Sequence, residues 1–207
     1  MLLDLGLQVV APDLMGFGGT DAPHVQPDSG HLSTYSLKRA SDDIAALASL
    51  LHVDRFILGG HDWGGAVVYR VALWHPERVT GIFSVCTPYN APSKTFVSLD
   101  QVVQRAPQFG YQKHLAGPEV EAEIKGKVQL RRFLNGMYGA RTATKESLFD
   151  PKIGINFRVL PELGKSKLLT DEEMVYYVDE YDRHGMHGTL NWVSHRPLRL
   201  SPALLSS

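Results

Sequence analysis

The chain has 207 residues, 43% of them hydrophobic and 21% charged, with a formal net charge of -1. That length buries a sizeable core without staples, and that charge offers neither a basic field for nucleic acid nor a polybasic membrane signal. One cysteine, Cys86, excludes an internal disulfide framework and fits a reducing, cytoplasmic setting.

No apolar run reaches the roughly 18 residues expected of a membrane span. Met1 to Gly6 lacks the basic and long apolar regions of a signal peptide. It reads instead as the last turn of a helix. Leu7 to Leu14 then predicts a short buried strand, stopped by Gly16-Phe17-Gly18-Gly19. A polar loop from Thr20 to Tyr35 leads to Ser36, the N-cap expected for a helix to about Leu51. Leu37, Ala40, Ile44, Leu47 and Leu51 recur on one face of it. Arg55 to Gly59 is the next strand, and a helix is expected from Gly65 towards Trp74. His75-Pro76 ends it, because proline disfavours helical geometry in the residue before it. Val79 to Val85 is a third strand. This alternation predicts an α/β fold, a parallel sheet with helices on both faces.

Beyond Thr87-Pro88 the pattern turns helical and no further strand is expected. A helix is predicted over Pro118 to Leu134, with Ile124, Val128 and Phe133 on one side. Glu121–Lys125 and Glu123–Lys127 are spaced as favourable four-residue charge pairs. Thr170-Asp171-Glu172-Glu173 fits a capping box that opens a helix through Met174, Tyr177 and Val178. Val193 to Ser207 is rich in Ser, Pro and Leu and has no period.

One motif stands out chemically. Gly60-His61-Asp62-Trp63-Gly64-Gly65, between a strand and a helix, has the form of a nucleophile elbow. Where a hydroxyl commonly sits, this chain has a carboxylate. Attack by a carboxylate on an electrophilic carbon makes an alkyl ester and opens a carbon–heteroatom bond. A helix N-terminus favours the charged, nucleophilic form, and Gly60 and Gly64 are expected to let the turn close. The plainer alternative is a strand–helix turn in which Asp62 is only an N-cap.

Other motifs fail on detail. Gly16-x-Gly18 does not extend to a dinucleotide fingerprint, because the third glycine position is Asp21 and Pro23 follows. His184-x-x-His187 lacks the further ligands of a tetrahedral metal site. Tyr111, Tyr176, Tyr177 and Tyr181 suit a core or an interface equally. No cofactor and no metal are called for.

Several segments together resemble the α/β-hydrolase epoxide hydrolases of the soluble type. They are Val10-Ala11-Pro12-Asp13-Leu14-x-Gly16-Phe17-Gly18, the elbow, Trp74-His75-Pro76-Glu77-Arg78-Val79, Phe109-Gly110-Tyr111-Gln112 and Gly188-Thr189-Leu190-Asn191-Trp192. The resemblance implies a partial α/β-hydrolase core over 1–92, an α-helical cap or lid over 93–192 and an atypical tail over 193–207. It implies Asp62 as nucleophile, the Trp63 backbone N–H as an oxyanion donor with its ring as a pocket wall, and Tyr111 as hydrogen-bond donor to the epoxide oxygen. The substrate would be a small apolar epoxide, with water, and the product a diol.

The chain departs from the pattern at Val193, where the family has a second cap tyrosine, and after it. The segments that would carry the family's relay acid and catalytic histidine have no counterpart here, and His195 does not fit that role. The expectation is a chain truncated at both ends, with exposed sheet edges, that opens epoxides at Asp62 but releases product poorly or not at all. Two other readings follow from the same residues. One is a haloalkane dehalogenase-like hydrolase, which also uses Asp-Trp at the elbow but no cap tyrosine. The other is a non-catalytic fragment.

Overall fold

The computed structural model describes residues 2–25, 32–92, 95 and 97–194. Leu3–Leu5 form a single 3-10 turn closed by Gly6 in the left-handed conformation (φ 74°). Helix α1, Leu37–Leu50, starts where the sequence places it: the Ser36 hydroxyl accepts the Arg39 N–H at 3.1 Å. Strand β1, Phe56–His61, leads into helix α2, Trp63–Trp74, which begins two residues earlier than its pattern suggested. His75 caps α2 ahead of Pro76, and strand β2 covers Val79–Val85.

β1 and β2 pair in parallel, with His61 opposite Val85 at the C-terminal end. Phe56 and Leu58 alternate inward, onto a cluster that holds Tyr35, Leu37, Ala40, Val67 and Val71. Helices α1 and α2 both pack on that one face. The other face carries Ile57, 64% exposed, with Phe83 and Val85 also open, so among the described residues the sheet is not covered on both sides.

The strand expected over Leu7 to Leu14 does not form. Leu7, Val9 and Val10 are exposed, and the segment pairs with neither strand. An apolar run becomes a strand only where a neighbour takes its backbone hydrogen bonds, and the described residues supply none.

The second half is helical, with α3 at Leu99–Arg105, α4 at Tyr111–Leu115, α5 at Glu119–Glu123 and α6 at Gly126–Met137. The helix expected over Pro118 to Leu134 is thus two helices. Lys125 is extended (ψ 134°) and Gly126 has φ 71°, so the chain turns between them. That break separates the expected charge pairs. Glu121 instead faces His187 (3.0 Å) and Lys127 bonds Asp179 (2.7 Å). Val128 is exposed rather than buried with Ile124 and Phe133.

A short antiparallel pair, β3 at Phe149–Asp150 and β4 at Gly154–Ile155, adds a hairpin that no periodicity announced. Two-residue strands are too short to show a period of two. Helix α7, Asp171–His184, opens with both hydrogen bonds of the Thr170–Glu173 capping box. Helix α8, His187–Ser194, runs two residues into the stretch read as tail; His195 and the rest of that stretch lie outside the described residues.

α8 belongs to two cores at once. Leu190 packs with Leu130, Phe133, Leu134, Met174 and Val178, whereas Trp192 packs with Tyr35, Leu37 and Val71. Residues two apart on a helix point to nearly opposite sides. The Trp192 indole N–H also donates to the Met15 carbonyl at 2.7 Å.

Candidate active site at the turn between β1 and α2

Asp62 sits between the end of β1 and the first residue of α2, with φ 52° and ψ -120°. Few non-glycine residues hold a positive φ, and such residues cluster at functional sites. The turn is tight enough that a Cβ on Gly60 would collide with the Gly64 carbonyl, and one on Gly65 with the Ser84 hydroxyl. A Cβ on Gly64 would meet nothing within 4 Å. Close approach therefore demands Gly60 and Gly65; the expectation that Gly64 serves the same purpose is not met.

The Asp62 carboxylate is exposed, and its Oδ1 accepts the Trp63 N–H at 2.8 Å. Oδ2 makes no hydrogen bond among the described residues. The carboxylate thus has one oxygen held by the first N–H of a helix and one without a hydrogen bond among the described residues. The Trp63 side chain is half-buried and that of His61 exposed.

Tyr111 opens α4, and its N–H donates to the Pro151 carbonyl at 3.1 Å. Its ring meets Phe149 edge-on, with centroids 5.2 Å apart. Its hydroxyl oxygen accepts from Nε2 of Gln112, a side chain only 4% exposed, at 3.2 Å. Among the described residues Tyr111 makes no hydrogen bond to Asp62. The elbow brings Asp62 and Trp63 together, while Tyr111 is fixed within the helical half.

Two contacts at these positions carry no signal in sequence spacing. One is the Gln112 amide on the Tyr111 oxygen. The other is the Thr87 hydroxyl, which donates to the Asp62 main-chain carbonyl at 2.6 Å. The first is a side-chain contact within α4 and the second joins residues 25 apart in the chain.

His187 hydrogen-bonds Glu121 and stacks on His24, with ring centroids 4.1 Å apart. Among the described residues no three His, Cys, Asp or Glu side chains are grouped to hold a metal ion. Nor is any helix there long and apolar enough to cross a membrane.

A family model for the alpha/beta hydrolase fold matches residues 2–117, more than half of the chain. This chain belongs to the alpha/beta hydrolase fold family. Its relatives narrow the resemblance. Epoxide hydrolase srdG of Neurospora crassa is 38% identical over 98% of this chain. Bifunctional epoxide hydrolase 2 of Sus scrofa is 32% identical over 92% of it.

Among solved structures, epoxide hydrolase VrEH1 from Vigna radiata superposes with a TM-score of 0.73 over 94% of this chain, at 23% identity. Epoxide hydrolase A from Mycobacterium thermoresistibile gives 0.68 over 91%, at 26% identity. The alpha/beta hydrolase chain spans 59% of the Neurospora protein and 33% of the porcine one. It spans 58% and 59% of the two solved chains.

Proposed function

We propose that this alpha/beta hydrolase carries the epoxide-opening site of an epoxide hydrolase, with Asp62 as nucleophile and a small apolar epoxide as substrate. The observation that carries the reading is the carboxylate itself: raised on a strained strand–helix turn, with Oδ1 held by the Trp63 N–H and Oδ2 open. The similarity to proteins named epoxide hydrolases supports it. The reading divides the chain into a core through residue 92 and a cap over 93–192 that brings Tyr111 to the substrate.

In the first step Oδ2 attacks an epoxide carbon, a C–O bond forms, and the ring C–O bond breaks. The departing alkoxide takes the Tyr111 phenol proton. With the Gln112 amide donating to the phenol oxygen, that proton is free to point at the substrate. In the second step water adds to the ester carbon. Negative charge then develops on Oδ1, the atom that already accepts the Trp63 N–H, so the resting hydrogen bond becomes the oxyanion contact. Collapse expels the diol alkoxide, which takes the remaining proton of the added water, and restores the carboxylate; the proton that the water first gave up returns to the Tyr111 phenolate.

The water must lose a proton to a base. Among the described residues no histidine hydrogen-bonds or pairs with Asp62; on this reading the ester outlives the first step wherever such a base is missing. A reducing, cytoplasmic setting suits the exposed thiol of Cys86.

Consumption of an aryl epoxide by the Asp62→Asn and Tyr111→Phe variants tests the proposal. Asp62→Asn should abolish consumption. Tyr111→Phe should slow it by about 100-fold, the usual size of a general-acid contribution, while leaving any opening of an alkyl halide unchanged. Equal loss on both substrates, or none on the epoxide, would rule out the role given to Tyr111.

A further inference from the structure

Both main-chain polar groups of Asp62 are anchored to the same three residues, Val85-Cys86-Thr87, where the chain leaves β2. The Asp62 N–H donates to the Val85 carbonyl at 3.2 Å, and the Thr87 hydroxyl donates to the Asp62 carbonyl at 2.6 Å. That carbonyl's other partner is the Ala66 N–H at 3.3 Å, a longer bond. Between the two anchors Cys86 holds φ 66°, a left-handed conformation. The kink lets the two residues that flank Cys86 reach the two main-chain polar groups of one strained aspartate.

Thr87 is itself held on several sides. Its carbonyl accepts from the Ser84 hydroxyl at 2.8 Å and from the Tyr69 hydroxyl at 3.2 Å. Further on, buried Arg70 donates both terminal N–H groups to the Asn90 carbonyl at 3.2 Å each. The strap from Val85 to Asn90 is thus tied to α2. It lies so close to the elbow that a Cβ on Gly65 would stand 2.9 Å from the Thr87 Cβ.

We infer that Thr87 is a positioning residue for the Asp62 carboxylate, acting through the Asp62 main chain. A strained backbone conformation persists only where its surroundings over-determine it. Without the Thr87 hydroxyl the Asp62 carbonyl keeps one long hydrogen bond, and the peptide is free to rotate. The Trp63 N–H belongs to that same planar peptide, so the rotation turns it away from Oδ1. The catalytic consequence rests on Asp62 being the nucleophile; the anchoring does not.

Two variants of the 207-residue chain separate hydroxyl from bulk: Thr87→Val keeps the shape and loses the donor, and Thr87→Ser keeps the donor and loses the methyl. Two readouts apply to each: the rate of Asp62 ester formation against aryl-epoxide concentration, and amide hydrogen exchange across Asp62 to Ala66. Thr87→Val should lower the maximal rate by about 10- to 100-fold, with little change in the half-saturating concentration. It should also speed elbow exchange by about tenfold. Thr87→Ser should retain both properties.

Unchanged exchange in Thr87→Val, or a Thr87→Ser variant as impaired as Thr87→Val, would overturn the inference. If the unmodified chain forms no ester, the nucleophile assignment fails, and the exchange measurement alone decides the role of Thr87. Should Thr87→Val not fold, Thr87→Ala takes its place: impaired beside an intact serine variant it supports the role, and equal to it overturns the role.

Discussion

At the scale of single residues, Asp62 occupies a backbone conformation that costs about 1–3 kcal/mol, and its neighbours have the shapes that permit it. Gly60 and Gly64 look equivalent in the motif but are not equivalent in space. Gly60→Ala should destabilise the chain by about 1–3 kcal/mol through overpacking and suppress reaction at Asp62. Gly64→Ala, inside α2 and facing open space, should leave thermal stability unchanged or raise it by up to about 1 kcal/mol. Melting both variants side by side checks the distinction.

The turn itself was legible because it depends on residue type and order: a carboxylate between glycines, after a strand. Thr87 was not, because its role depends on where β2 ends relative to β1. Tyr138 was silent in the sequence too. Burial, then a hydrogen bond and charge from Tyr177, push its phenol up to about 12 from an ordinary 10.0. A group whose folded value is raised contributes stability that is complete below its unfolded value and lost as pH rises through the folded one. Stability should therefore decline between about pH 10 and 12, and less steeply in Tyr138→Phe. Denaturation midpoints across that window provide the check.

At the scale of elements, the helices whose ends are chemically marked were read most closely. Ser36 and Thr170 announce α1 and α7 because a side-chain oxygen that caps the first turn is written in the sequence one residue before it. Thr170→Ala should cost about 1 kcal/mol and raise hydrogen exchange in the first turn of α7, where Glu173 would lose its reciprocal partner. The strand over Leu7 to Leu14 failed for the opposite reason. Its apolar run reports an intrinsic suitability for a sheet, while strand formation depends on a neighbour that no local pattern can supply. The break between α5 and α6 rests on an extended Lys125 followed by a positive φ at Gly126, which an amphipathic pattern running through it conceals.

At the scale of the whole molecule, two hydrophobic clusters are joined through α8, one on Leu190 and the other on Trp192. Trp192→Phe would remove the donor to the Met15 carbonyl while keeping an aromatic ring. Denaturant unfolding should show a loss of about 1 kcal/mol, the net worth of one hydrogen bond to a half-buried carbonyl. The exposed face of the sheet, with Ile57, Phe83 and Val85, shows the described core to be partly uncovered, consistent with a chain that spans 59% of its Neurospora relative. The fold family could be read from the sequence because its turn motifs lie within this span; helices on both faces of the sheet were expected, and among the described residues one face is uncovered.

The chemistry proposed for the turn depends on Asp62 acting as a nucleophile. Its most direct test is the intact mass of the 207-residue chain after incubation with an aryl epoxide, followed by peptide mapping. One epoxide mass should be added, carried by the peptide containing Asp62 and absent from Asp62→Asn. A chain that gains no mass, or gains it equally in the Asp62→Asn variant, would contradict it.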